Sequence, residues 1–256
     1  MTTKGRLYLV PNTLDFGVDG AEVGLQQVLP QRVIEIAARL SHWAAENAKT
    51  TRAFLKRVDA LQPLAQPLQN VQIAELPRPP KGRGNADATQ DAAWRALLAP
   101  ALAGQDLGLI SEAGLPAIAD PGALLVAAAH EAGIEVLPLS GPSSLLMALA
   151  ASGLNGQSFA FVGYLPVDAV ARTARIRELE ALSGRQQQTQ LMIETPYRNG
   201  ALLQALLATL KPTTRLSISC GLSLAQGWTR SMTVAQWRSA STTLPDKVPA
   251  VFALLG

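Results

Sequence analysis

The stretch DLGLISEAGLPAIADPG, residues 106–122, indicates the fold of this 256-residue chain. Its first six residues are mostly apolar, as is typical of a buried strand, and the glycines and prolines that follow predict a loop. Pro121 and Gly122 then open an apolar segment that we expect to be helical to about Ala132. We therefore predict a strand, a loop and a helix in succession.

The same alternation of strands and helices extends in both directions along the chain. Further apolar runs predict strands at residues 5–11, 41–48, 71–76 and 134–139, with helical segments between them. Such alternation predicts a mainly parallel sheet with flanking helices, whose ligands bind beyond the carboxyl ends of the strands. The loops after Ile110 and Leu139 are therefore the candidate site.

The pattern changes after Gly153. Strand-like runs are found at residues 159–164, 190–195, 215–222, 228–237 and 248–255. The runs at 215–222 and 228–237 follow each other without a helix between them, which predicts a hairpin and a mixed sheet. We therefore expect two unlike α/β domains, residues 1–121 and 122–256.

Composition limits the classes of protein to consider. Hydrophobic residues make up 48% and charged residues 16% of the chain, as in a globular protein. The single cysteine, Cys220, excludes an internal disulfide and a cysteine-based zinc site. No apolar stretch approaches the roughly 18 to 20 residues of a membrane span, so we expect an intracellular protein that does not bind membranes. The net charge of +3 permits an anionic partner.

Two loops contain the residue types that bind a small polar ligand. In residues 111–122, small residues expose the backbone, and Glu112 and Asp120 can accept hydrogen bonds from hydroxyl or amino groups. In residues 140–144 (SGPSS), serines stand at a predicted helix start. The alternative is that Asp120 and Ser143 only cap their helices. Neither a GxGxxG nor a GxxxxGK[ST] loop occurs, so dinucleotide and triphosphate binding lose their usual support.

Residues 108–166, which include SEAGLPAIADPG, PLSGPSS, ASGL and GYLP, resemble the tetrapyrrole methylase superfamily. Within it, they are similar to the bacterial methyltransferases that modify a cytidine ribose in small-subunit ribosomal RNA. The resemblance extends to Pro11–Leu14 and to ETPYR at 194–198. It implies a cytoplasmic enzyme, usually dimeric, that has two α/β domains, binds S-adenosylmethionine in the cleft between them and needs no metal.

The resemblance also implies roles for individual residues. Its cofactor-binding positions are Pro11, Ser111, Glu112, Ala113, Ser143, Ser144 and Thr195. Its candidate proton acceptors are Glu194, ranked first, and Glu46. Its candidate substrate-binding residues are Lys49, Arg52, Tyr197 and Arg198. Lys81 and Arg83 are cations that either close over an RNA backbone or are simply solvated, and Tyr197 either stacks on a base or packs in the core.

Three departures from the family pattern leave the methyl acceptor open. Glu112 stands where the ribosomal branch has Asp, AENAKT at 45–50 replaces its Glu-Asp-Thr-Arg, and residues 217–230 lack its Arg-Glu-Leu-Thr-Lys. We therefore infer a paralogue of that branch. The leading hypothesis is RNA methylation, specifically ribose 2′-O-methylation of small-subunit rRNA. The alternatives are methylation of a tetrapyrrole or other small molecule, and a non-catalytic protein that binds the cofactor or RNA.

Overall fold

The computed structural model describes residues 3–15, 23–77 and 88–256, with side chains except at 88–91. Lys81 and Arg83, which we expected to be solvated or to contact RNA, lie outside the described residues. The chain divides into two compact units, and the division falls between Pro142 and Ser143. Each unit is built around its own β-sheet.

The first unit contains a five-stranded sheet, called sheet A here. Its strands are β1 (Leu7–Leu9), β2 (His42–Ala45), β3 (Gln72–Glu75), β4 (Leu107–Ile110) and β5 (Val136–Pro138). Their order is β3-β2-β4-β1-β5, and every neighbouring pair is parallel. The predicted parallel sheet is confirmed, and its strands end at one common edge.

Helices cover both faces of sheet A. They are α1 (Leu25–Val28), α2 (Gln31–Arg39), α3 (Ala48–Asp59), α4 (Ala88–Ala96), α5 (Ala99–Leu102) and α6 (Gly122–Glu131), with a 3₁₀ turn at Leu68–Asn70. Successive strand residues point to opposite faces, so Trp43 packs with α1 to α3 and Ala44 with α4 to α6. Among the described residues, no helix has the length and apolar content needed to cross a bilayer.

The division between the units lies later in the chain than the expected end of the first domain at residue 121. Strand β5 pairs with β1 along its whole length, with Val136 opposite Leu7, so β5 is part of sheet A. Leu125 of α6 is completely buried in the core on the α4 to α6 face of that sheet. The helix and strand after residue 121 therefore complete the first unit.

The second unit contains a mixed sheet, called sheet B here. Its strands are β6 (Phe159–Tyr164), β7 (Thr189–Ile193), β8 (Arg215–Cys220), β9 (Trp228–Thr233) and β10 (Ala250–Leu255). Its helices are α7 (Ser144–Ser152), α8 (Ala169–Gln186), α9 (Asn199–Thr209) and α10 (Val234–Ser239), with a 3₁₀ turn at Pro196–Arg198. The order is β6-β7-β10-β8-β9, and only β6 and β7 are parallel, which confirms the predicted mixed sheet.

The strand predicted at 228–237 ends early, at Thr233. There the Thr233 hydroxyl accepts from the Gln236 N–H, and the Gln236 side chain accepts from the Thr233 N–H. This reciprocal capping starts α10, which buries Val234 and Trp237. The predicted hairpin of β8 and β9 is otherwise confirmed, because the two strands pair in antiparallel register.

Gly108 provides a test of the packing between β4 and β2. A Cβ at this position would lie 2.7 Å from Cε3 of the buried Trp43 ring and 3.1 Å from Leu40 Cδ1. We expect Gly108→Ala to lower the free energy of unfolding by about 1 to 3 kcal/mol, because a rigid core has no room for the methyl group. Urea denaturation measures this loss.

Gly200 is the matched control, since a Cβ there would meet nothing within 4 Å and the residue lies in α9. We expect Gly200→Ala to leave stability unchanged or to raise it by up to about 1 kcal/mol. Equal losses in both variants would contradict the tight packing at Gly108.

Candidate functional site

Asn12 joins two loops at the carboxyl edge of sheet A. It follows β1, and its buried side chain donates to the main-chain oxygens of Ser111 at 3.3 Å and Glu112 at 3.1 Å. Its own N–H donates to the Gly114 oxygen at 2.9 Å. The loop after β1 is thereby tied to the loop after β4. An amide suits this position because it supplies two N–H donors to neighbouring carbonyls.

The loop after β5 packs against the same place. A Cβ on Gly141 would lie 2.2 Å from the Cβ of Pro11, so only glycine allows these two loops to approach this closely. Pro11, a predicted cofactor residue, therefore lies between the two other loops that the sequence pointed to. The structure brings the loops after β1, β4 and β5 together at one edge of sheet A.

The carboxylate of Asp120 organises the loop after β4. It accepts from the Ser111 hydroxyl at 2.5 Å, from the Ala117 N–H at 3.0 Å and from the Gly122 N–H at 2.7 Å. Gly122 is the first residue of α6, so Asp120 also accepts a hydrogen bond from a free N–H at that helix start. This is the contact that the alternative role of Asp120, capping the helix, predicts.

The same loop holds two alanines in the left-handed region, with φ of 67° at Ala117 and 65° at Ala119. Each costs roughly 1 to 2 kcal/mol for a residue that has a Cβ. The hydrogen bonds of Asp120 offset this strain. Ala113, another predicted cofactor residue, is exposed in this loop, so a ligand can reach its main chain.

Glu46 and Glu112 form an acidic pair at the ends of β2 and β4. The Glu112 N–H donates to Glu46 Oε2 at 3.0 Å, and Glu46 is exposed whereas Glu112 is half-buried. Burial and the neighbouring charge of Glu46 raise the pKa of Glu112, and a hydrogen bond from Asn47 only partly opposes this. Two residues that the sequence assigned to separate roles are therefore neighbours.

Asn47 was not among the residues that the sequence singled out. Its side chain accepts from the N–H groups of Lys49 at 2.9 Å and Thr50 at 3.3 Å, and so caps α3. The signal was present, because asparagine is a preferred residue just before a helix. Lys49 and Arg52, the predicted substrate cations, are both exposed on the first turns of α3.

Asp15 and Arg57 anchor the loop after β1 and were also missed. The Asp15 carboxylate accepts from the Thr13 hydroxyl, from the Val23 N–H at 3.0 Å and from Arg57 at 3.2 Å. Burial by itself would raise the pKa of Asp15, but these donors outweigh it and the pKa is lowered. No sequence motif could indicate this pair, whose members are 42 positions apart.

In the second unit, Ser143 occupies the position before α7, and Ser144 is the first helical residue. Ser143 is buried, yet its side chain makes no capping hydrogen bond to α7. Ser143 therefore stands at the capping position, but the alternative that its side chain caps the helix is wrong. The Ser143 hydroxyl therefore does not satisfy the first N–H groups of α7.

Glu194, Thr195 and Arg198 form one cluster after β7. The Glu194 side chain is only 3% exposed; one oxygen accepts from the Thr195 N–H at 2.8 Å and the other from the Arg198 guanidinium. The hydrogen bond that Arg198 donates to Glu194 raises the pKa of Arg198 above its ordinary value. Tyr197 is exposed beside this ion pair, which contradicts the core-packing alternative.

Removal of the Glu46 charge tests the acidic pair. We expect Glu46→Gln to lower the pKa of Glu112 towards its ordinary value near 4.5, because the repulsion between the two carboxylates is lost. The pKa should stay above that value, since burial is the larger cause. Carboxyl ¹³C NMR titration measures it, and an unchanged pKa would show that the two groups do not interact.

The sign of the stability effect follows from the raised pKa. A carboxyl whose pKa is raised on folding contributes fully to the free energy of unfolding at pH values below its unfolded pKa. That stabilisation is lost as the pH rises through the folded pKa. Glu112→Gln should therefore be more stable than the parent chain at pH 7, and the difference should shrink near pH 4. Thermal unfolding at both pH values checks the sign.

Sequence comparison identifies a protein family and individual proteins that are similar to this chain. The family model described as Tetrapyrrole (Corrin/Porphyrin) Methylases matches residues 31–234. A Ribosomal RNA small subunit methyltransferase I from Vibrio cholerae is 40% identical over 109 residues, 43% of this chain and 36% of the relative. One of the same name from Escherichia coli O157:H7 is 29% identical over 208 residues, 81% of this chain and 62% of the relative. The chain thus spans less than two thirds of these relatives.

Solved structures show the same fold at low sequence identity. Uroporphyrin-III-C-methyltransferase from Thermus thermophilus superimposes with a TM-score of 0.53 at 18% identity, covering 98% of this chain and 92% of that one. The methyltransferase CobJ gives 0.55 at 14% identity, covering 97% and 93%. The family model covers most of the chain and includes strands of both β-sheets. The chain belongs to the tetrapyrrole (corrin/porphyrin) methylase family.

Proposed function

We propose that this protein is an S-adenosylmethionine-dependent methyltransferase that acts on RNA, specifically on a ribose 2′-hydroxyl of small-subunit rRNA or a closely related acceptor. The proposal rests on one observation: the loops after β1, β4 and β5 contact one another. These loops contain Pro11 and the SEAGLPAIADPG and SGPSS motifs that resemble the family. The names of the sequence relatives support the RNA acceptor. A family member from Thermus thermophilus, solved as a complex with S-adenyl homocysteine, supports the methyl donor.

The chemistry of the loops fits such a donor. In the first unit, Pro11, Ser111, Glu112 and Ala113 are the cofactor residues that we propose, and Glu112 can accept hydrogen bonds from a ribose hydroxyl or an amino group. Gly114, with φ of 68°, lets the main chain turn sharply within the loop after β4. In the second unit we propose Ser143, Ser144 and Thr195, of which the first two stand at a helix start suited to a carboxylate.

When bound, the donor supplies a methyl group on a sulfonium, and no metal is needed to activate it. A ribose hydroxyl that attacks this methyl carbon would form a C–O bond while the C–S bond breaks and the sulfur leaves as a thioether, and the hydroxyl proton would pass to a base. Glu46 is exposed and accepts a single main-chain N–H in the described structure. Its remaining carboxylate lone pairs can therefore accept a hydrogen bond from the substrate hydroxyl. We propose that Glu46 takes this proton.

Glu194, the first-ranked candidate proton acceptor from the sequence, suits another role. Both of its oxygens accept hydrogen bonds from Thr195 and Arg198, and its side chain is almost completely buried. With both oxygens occupied by these donors and the side chain buried, Glu194 is not free to contact a substrate hydroxyl. We propose that Glu194 positions Arg198.

Lys49 and Arg52 are the cations that we propose for contact with the RNA backbone, and Tyr197 and Arg198 are the residues that we propose for contact with a base. Lys49 and Arg52 are exposed, as phosphate contacts require. We further propose that the protein acts in the cytoplasm as a homodimer. The resemblance of its central motifs to the ribosomal methyltransferases supports both statements.

Methylation of a tetrapyrrole or another small molecule is the second candidate function. The family model, named for tetrapyrrole methylases, is the observation that favours it. The structural similarity adds nothing to this choice, because at 18% identity it shows the fold alone.

A labelling experiment separates these functions. We expect label from [methyl-³H]-S-adenosylmethionine to enter the RNA of small ribosomal subunits isolated from cells that lack this protein. Parallel reactions contain total RNA, a small-molecule extract or uroporphyrinogen. Label in a small-molecule fraction alone would overturn the RNA function. Donor binding, measured by calorimetry, without label in any fraction would instead show a non-catalytic protein.

Glu46→Gln tests the base in the same assay. The amide retains an oxygen that can accept the Glu112 N–H, so donor affinity should change little. We expect kcat to fall about 100-fold or more, because a positioned base typically contributes 10² to 10⁴ in rate. Single-turnover methylation of the labelled RNA fraction measures this.

The matched control is Glu75→Gln. Glu75 ends β3, the neighbour of β2, and also accepts a main-chain N–H, that of Ala48 at 2.9 Å. We expect this variant to retain the parent's kcat. A Glu46→Gln enzyme that is as fast as the Glu75→Gln enzyme would exclude Glu46 as the base.

A further inference from the structure

Two tyrosines lie at one end of the parallel strand pair in sheet B. Tyr164 ends β6 and stands opposite Ile193, the last residue of β7. The chain continues from β7 through Glu194 into the 3₁₀ turn that contains Tyr197. Because parallel strands end at a common edge, Tyr164 and this turn share the carboxyl edge of the strand pair, a usual place for ligands in α/β folds.

Both rings are open to solvent. Tyr164 is 57% and Tyr197 73% exposed, which is high for large side chains that usually bury much of their area. The strand register shifts between Phe161 and Tyr164, and Gly163 in that shift has φ of 71°. A Cβ on Gly163 would meet nothing within 4 Å, so the space beside it is open.

Arg198 lies at the same edge as the two tyrosines. It ends the 3₁₀ turn that contains Tyr197, and its guanidinium binds Glu194, which directly follows β7. The buried Glu194 carboxylate binds the same guanidinium and so restricts its orientation. Tyr164, Arg198 and Tyr197, called the Tyr-Arg-Tyr cluster here, therefore place two exposed rings and one ion-paired guanidinium at the same edge. The sequence had pointed to Tyr197 and Arg198 but not to their association with Tyr164.

We propose that the Tyr-Arg-Tyr cluster binds an unpaired RNA base by stacking. This inference rests on the proposed RNA function and names the part of the RNA that the second unit recognises. Aromatic rings and guanidinium planes are the groups on which proteins stack bases of single strands, whereas the faces of bases in a duplex are covered by their neighbours. The cluster should therefore prefer single-stranded to duplex RNA.

The charge balance favours a base over a tetrapyrrole. Tetrapyrrole substrates are also planar, but uroporphyrin-type rings carry several carboxylates that require cationic partners. The cation at the centre of the cluster is already paired with Glu194. A base has an uncharged ring, so it can stack on the tyrosines without a further counter-charge.

Conservative substitutions test the stacking directly. Tyr164→Leu and Tyr197→Leu keep an apolar side chain but remove the aromatic face, and Tyr164→Phe and Tyr197→Phe keep it. The probe is a fluorescent 8-nucleotide single-stranded RNA, measured by anisotropy against the same RNA in a duplex. We expect each Leu variant to bind the single strand roughly 5- to 100-fold more weakly, the measured range for loss of one stacked base.

Each Phe variant should bind within about 2-fold of the parent, and the preference for the single strand should shrink in the Leu variants. Phe159→Leu is the matched control, because Phe159 is 41% exposed and lies at the other end of β6. It should bind RNA like the parent. Unchanged circular dichroism and donor affinity in all variants exclude a general loss of structure.

The outcomes separate this inference from the proposed function. If the parent methylates RNA and the Leu variants bind and methylate it equally well, the stacking role is overturned while the RNA function stands. If the parent neither binds nor methylates any RNA, both are overturned. Weaker binding in the Phe variants as well as the Leu variants would assign the contact to the tyrosine hydroxyls and overturn stacking.

Discussion

The carboxylate of Asp120 is the interaction on which the candidate site of the first unit depends. Three donors, the Ser111 hydroxyl and the N–H groups of Ala117 and Gly122, converge on it. These bonds hold a tight loop that includes two strained alanines, and the start of that loop in turn receives the Asn12 side chain. These bonds thus fix the shape of the loops after β1 and β4. Such preorganisation reduces the free-energy cost of ordering on binding.

Environment gives the carboxylates of this protein different properties. Glu112 is half-buried beside Glu46, so its pKa is raised. Asp15 is also buried, but Arg57 and two further donors lower its pKa. Glu194 is bound on both oxygens and holds an arginine in place. Glu46 alone among these four is exposed, which is why we propose it as the base that takes the proton of the methyl acceptor. Residue type therefore identified candidates, whereas burial and partners distinguished their roles.

The two units use the same structural device with different sheets. Sheet A is wholly parallel, and its strands bring the candidate donor loops to one edge. Sheet B is mixed, yet its single parallel pair, β6 and β7, creates a second edge where the Tyr-Arg-Tyr cluster lies. Structures that share this fold at 14 to 18% identity show that the architecture tolerates extensive change in side chains.

The sequence by itself determined the two kinds of sheet and the motifs after β4 and β5, because strand periodicity and turn residues are local properties of the chain. Tertiary structure decided the rest. Pairing with β1 assigned β5 to the first unit, and packing brought Arg57 to Asp15. It also set Glu46 beside Glu112 and Tyr164 opposite the end of β7. These contacts join residues that are distant in the chain, and such contacts leave no local pattern from which they could be predicted.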